Sequence, residues 1–91
     1  MINLENAVIA GRWKAVKKGI EAGADVNQCD ENGRSLLHLA AKHNHDDVAL
    51  LLLDHNAWFV PDRTGLWADE VAEASGHSQL GGYLRDRRKP C

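Results

Sequence analysis

An all-α solenoid of three helix-turn-helix pairs, joined by two short β-hairpin loops, is the fold that this 91-residue sequence predicts. Three observations carry that reading. Gly11, Asn44 and Gly76 hold one slot, 33 and then 32 residues apart, and a fixed period of this length marks stacked supersecondary units. Gly23-Ala24-Asp25-Val26-Asn27 returns at the same interval as Asn56-Ala57-Trp58-Phe59-Val60. Val48–Leu53 is apolar almost all round, as a helix between two neighbours should be.

The first unit covers about residues 4–29. Leu4, Ala7 and Val8 make one apolar helical face. Gly11 ends that helix, where positive φ is often needed. A second helix over Arg12–Ala22 is expected to bury Trp13, Val16 and Ile20. Lys17, Lys18 and Gly19 give it a polar outer side, as suits an end unit with no neighbour there. The expectation is an N-terminal cap and a true chain beginning.

The second unit, residues 30–61, is complete. Gly33 permits a tight turn, and Ser35 is placed to N-cap a helix beginning at Leu36. His38, one turn on, is within reach of the Ser35 hydroxyl. Ala40 and Ala41 allow close helix approach. Asn44 stands where the other two units have Gly11 and Gly76, and Asn56 where the first unit has Gly23; Asn is the next residue to tolerate a left-handed backbone.

The third unit, residues 62–85, keeps only the outline. Gly65, Val71, Ala72, Gly76, His77, Leu80 and Leu84 fit the period. Glu73, Ser75, Gln79 and Arg85 are polar where a further unit would dock, which predicts a C-terminal cap. Gly81 and Gly82 inside the last helix each cost about 1 kcal/mol relative to Ala. Residues from Arg85 onward, with the tail proper at 86–91, are expected to be solvated. The whole chain, 1–91, reads as one domain.

Asp30-Glu31-Asn32-Gly33-Arg34-Ser35-Leu36-Leu37-His38-Leu39-Ala40-Ala41 resembles the Gly-x-Thr-Pro-Leu-His-x-Ala-Ala pattern of ankyrin repeats. Gly23–Asn27 resembles their Gly-Ala-Asp-x-Asn ending. The resemblance spans residues 4 to about 85. It implies a protein-binding module whose partner meets the hairpin tips and the exposed edge of each first helix. Carried over residue by residue, that surface is Cys29, Glu31, Asn32 and Arg34, then Lys42 and His43, then Pro61, Arg63, Thr64 and Leu66. The alternative is that each is simply solvated.

Three aromatics depart from the pattern. Trp58 stands where the family has Asp, Phe59 where it has a small apolar residue, and Trp67 where it has the capping Thr. Trp is a common anchor at interfaces, so Trp58 and Trp67 join the candidate binding surface. Trp58 is expected to be exposed. Trp67 and Phe59 either share that surface or fold inward to close the stack. Trp13 falls in a usually apolar slot and is assigned to the core.

Other chemistry finds little footing. The net charge is −2 and the pI about 6.2, so no global field draws the chain to nucleic acid. Arg85, Arg87, Arg88 and Lys89 surround Asp86 and have no aromatic platform, which argues the same way. Cys29 and Cys91 form no disulfide framework and read as reduced thiols. The N-terminus has no signal-peptide pattern, and no apolar run approaches a membrane span. A cytoplasmic location is expected. His38, His43 and His45 are spaced five and two apart rather than three or four, so no metal site is expected. Asp46-Asp47 and Asp69-Glu70 are sequence neighbours on different helix faces and make no acid–base pair. Neither an enzyme nor a cofactor is expected. The reading is a small adaptor or inhibitor that binds one partner protein. The other reading is self-association, as a weak homodimer, through the Trp58/Phe59/Trp67 edge.

Overall fold

The computed structural model describes residues 3–88. Leu4, Val8 and the partly buried Ala7 supply the apolar face of α1, Glu5–Ile9. Gly11 turns the chain at φ 73°, and α2 follows at Trp13–Glu21. Ser35 caps α3, Leu36–Lys42, and Asn44 turns at φ 58° into α4, Asp46–Asp54. The third pair is α5, Ala68–Ala74, and α6, Ser78–Arg88, with Gly76 between them at φ 84°. The shared slot at Gly11, Asn44 and Gly76 is thus one left-handed turn used three times.

Adjacent first helices pack together, α1 on α3 and α3 on α5. Each second helix packs behind its own partner, and α2 also lies against α4. The core runs through every interface: Leu4 and Val8, then Leu36, Leu37, Ala40 and Ala41, then Val48 and Leu52, then Ala68, Ala72, Leu80 and Leu84. Alanine at positions 40, 41, 49, 68 and 72 is fully or almost fully buried, which lets the helices approach closely. No strand forms among the described residues. The expected hairpins are tight turns, and only Cys29 and Ser35 form an isolated antiparallel bridge.

Histidines tie neighbouring units. His38 Nε2 donates to the Leu66 carbonyl at 2.7 Å, which leaves Nδ1 to accept from the Ser35 N–H and hydroxyl at 3.1 and 2.8 Å. His45 Nε2 donates to the Ile9 carbonyl at 2.9 Å, and His77 Nδ1 to the Ala41 carbonyl at 3.0 Å. Each bond crosses from one helix pair to the next.

Four expectations need correction. Trp13 is 41% exposed rather than core, because it is the first residue of α2, at the open end of the helix, whereas Val16, one turn deeper, is fully buried. Arg85 is not simply solvated. It lies 3.6 Å from the fully buried Asp69 carboxylate and also pairs with Glu73, clamping α6 to α5. Gly81 is not merely a weak helix former. A Cβ there would stand 2.7 Å from Glu73 Cγ and 3.1 Å from the Asp69 carbonyl, so glycine is what lets α6 press against α5. The described part of the expected tail is helical, since α6 continues to Arg88. Lys89, Pro90 and Cys91 lie outside the described residues.

Candidate protein-binding surface

Two loops of like construction lie at the N-terminal ends of α3 and α5. In the first, the Asp30 carboxylate accepts the N–H groups of Asn32 and Arg34 at 2.9 and 3.0 Å, and Gly33 turns at φ 74°. In the second, Asp62 Oδ1 accepts the N–H groups of Thr64 and Leu66 at 2.8 and 3.0 Å and the Thr64 hydroxyl at 2.6 Å. Each acid folds its own loop into a rigid turn. The Asp62 carboxyl is held below its ordinary range by the Thr64 hydroxyl first; burial opposes this, while the Leu66 and Thr64 amides and the nearby His38 add to it.

The loops are also joined to each other. The Arg63 N–H donates to the Asn32 carbonyl at 3.2 Å, and the Arg34 guanidinium lies 4.0 Å from Asp62. Gly33 lets them approach, since a Cβ there would meet Arg63 Cγ at 3.0 Å and its backbone N at 3.2 Å. Glu31, Asn32, Arg63 and Thr64 therefore project from one doubly tied ridge, with Cys29, Pro61 and Leu66 at its flanks; all seven are exposed, and Arg34 is half-buried.

Lys42 and His43 are exposed too, but at the far end of α3, about 10 Å along the helix from the loops. Burial, followed by Lys42, His45 and His77, pushes the His43 imidazole below its ordinary pKa, so it favours the neutral form. Trp58 is 66% exposed, beside the first unit, with its N–H bound to Asn27 Oδ1 at 2.7 Å. Phe59 is half-buried against the core and Trp67 is half-buried at the start of α5. Burial, then Asp30 and Asp25, pushes the Cys29 thiol up, which keeps it a poor nucleophile.

Sequence reasoning passed over two features. Asp30 and Asp62 are the loop anchors, and the signal was present as an Asp three residues before each turn glycine. Glu70 stands 32 residues after His38 and does a related job, because its carboxylate accepts the Trp67 N–H at 3.0 Å as the His38 ring accepts that of Ser35. Among the described residues no three His, Cys, Asp or Glu side chains gather as a metal site, and no helix is long and apolar enough to cross a membrane.

The family described as Ankyrin repeats (3 copies) matches residues 4–86. An ankyrin repeat protein of Rickettsia bellii (strain RML369-C) is 33% identical over 81 residues, covering 86% of this chain and 45% of that protein. Protein fem-1 homolog C of Bos taurus is 49% identical over 65 residues, covering 71% of this chain and 10% of its own length. Transient receptor potential cation channel subfamily A member 1 of Homo sapiens is 38% identical over 66 residues, covering 72% and 6%. This chain spans less than half the length of each of these relatives. Ankyrin repeats are in general modules that bind other proteins. With three tandem helix pairs, their left-handed turns and a family match over nearly its whole length, the chain belongs to the ankyrin-repeat family.

Proposed function

We propose that the chain is a small adaptor or inhibitor that holds one partner protein against the loop ridge, the exposed end of α3 and Trp58. The observation that supports this best is the double tie between the loops, through the Arg63 N–H to the Asn32 carbonyl and the Arg34 guanidinium to Asp62. A surface already rigid loses little conformational freedom on docking, so more of its contact energy appears as affinity. The Trp58 ring adds an exposed aromatic anchor. Self-pairing through Trp58, Phe59 and Trp67 has weaker support, because Phe59 packs on the core and only Trp58 stands clear.

The test is affinity capture with the full chain as bait, followed by the same capture with Trp58→Asp. A surface change of this kind alters stability by under about 0.5 kcal/mol, whereas loss of an interface anchor costs about 2 kcal/mol or more. Melting should stay unchanged while capture falls at least about tenfold. Normal capture by the folded variant would remove Trp58 from the site and leave Arg34, Lys42 and His43 as its centre.

A further inference from the structure

The face opposite the loops and α3 has its own pattern. On α2 the exposed residues Arg12, Trp13, Lys14, Lys17 and Lys18 form a basic strip around an indole. Its only carboxylate, Glu21, ends the helix two turns beyond Trp13. On α4 the exposed Asp46, Asp47 and Asp54 form an acidic strip with no cation. Among the described residues no ion pair links the two strips. The molecule thus carries two strips of opposite sign on adjacent helices; Asp46 and Asp47 accept the Asp47 and Val48 N–H groups in the first turn of α4, and the Lys14 ammonium lies over the Trp13 ring.

Beside the acidic strip lies a pocket of about 250 Å³, lined by Asn44, Asp46, Leu50, Gln79, Leu80 and Tyr83. It exists because Gly81 and Arg85 draw α6 onto α5, so α6 does not pack closely on α4 as α4 does on α2. Leu50 and Tyr83 are 39% and 37% exposed at its walls. Arg87 is engaged with Tyr83, donating to its hydroxyl at 2.7 Å and lying over its ring. The pocket therefore offers an indole apolar contact from Leu50, Leu80 and Tyr83 and polar partners from Asn44, Asp46 and Gln79.

We infer that a second copy of this chain covers this face, the Trp13 indole of each copy entering the α4/α6 pocket of the other. Trp13 opens α2 as Asp46 opens α4, so indole and pocket mouth sit at the same level along the helices. Parallel alignment of α2 over α4 then sets Lys14 and Lys17 against Asp46 and Asp47. The arrangement is self-complementary, as a two-fold interface must be, and is used twice. Desolvated aromatic anchors supply most of the energy, and the opposed charges fix the register. The loop ridge and Trp58 take no part.

Sedimentation equilibrium on the full chain tests this, with thermal melts confirming that each variant is folded. A monomer–dimer equilibrium is expected that weakens with added salt. Trp13→Asp should weaken it at least about tenfold. Lys14→Glu with Lys17→Glu should do the same, as should Asp46→Lys with Asp47→Lys. Mixing the two double variants should give a heterodimer, because both of its strip pairs are again complementary, and combining all four changes in one chain should restore the homodimer. A chain that stays monomeric up to about 1 mM overturns the proposal. So does a dimer that ignores Trp13 and both charge reversals, and if that dimer responds to Trp58→Asp it belongs to the other edge.

Discussion

His38 uses both ring nitrogens inside the stack. One holds the turn before α3, and the other reaches the Leu66 carbonyl of the next loop. The ring is 1% exposed, so no water replaces those bonds when it is removed. Leaving buried donors and acceptors without partners costs about 1–3 kcal/mol. For a chain of this size each kcal/mol moves the melting temperature by about 4–8 °C. His38→Ala should therefore lower the melting temperature by several degrees, as followed by circular dichroism. An unchanged melt would show that the ring does not hold the two units together. The Ser35–His38 half of this arrangement was legible in the sequence, since residues three apart at a helix start face each other. The Leu66 half was not, because a backbone carbonyl acceptor leaves no mark on residue type. Trp13 misled for a related reason: its slot is usually apolar, but at the outer edge of the first unit the Lys14 ammonium lies over its ring, and it stays 41% exposed.

At the scale of elements, the two glycines of α6 separate into different roles. A Cβ added at Gly82 would have nothing within 4 Å, so Gly82→Ala should stabilise the protein by about 0.5–1 kcal/mol. Gly81→Ala should destabilise it, because the new methyl meets Glu73 and the Asp69 carbonyl. Urea unfolding of the pair measures both signs. Equal effects would mean that α6 does not press on α5. Sequence alone assigned both glycines the same propensity cost, since helix period shows which positions face inward but not how close the facing backbone comes. The loops give a second element-scale expectation. The folded Asp62 carboxyl lies below its ordinary value of 3.8, so its contribution is in place above that pH and is lost as the pH falls through the lower folded value. Asp62→Asn should lower the melting temperature at neutral pH, and the gap from the native chain should narrow on acidification below about 3.8. A gap independent of pH would show that charge is not what holds the loop.

For the whole molecule, the order of packing decides where the structure opens first. α3 touches both α1 and α5, whereas α1 and α5 each have a described first-helix neighbour on one side only. Repeat stacks are stabilised mainly through such nearest-neighbour interfaces. Backbone amides of α3 should therefore exchange with solvent most slowly, and those of α1 and of α6 beyond Leu84 most quickly, as read by hydrogen–deuterium exchange. Uniform protection along the chain would show a single cooperative unit instead. The solenoid itself was legible because its period is written in residues that must adopt positive φ, at Gly11, Asn44 and Gly76. The candidate surface was legible only as a set of positions; the ridge that the loops form depends on Arg63 and Asn32 meeting through their backbones.

The histidine ties reach one unit and no further. Nothing in the stack measures total length, so the number of units is not encoded in any of them. A duplicate of residues 30–61, inserted in register after the original, would bring its own Ser35, His38 and His45 and would meet backbone carbonyls at the same slots. The chain is in that sense a ruler without an end mark, whose span can be reset in whole steps while every joint stays as it is.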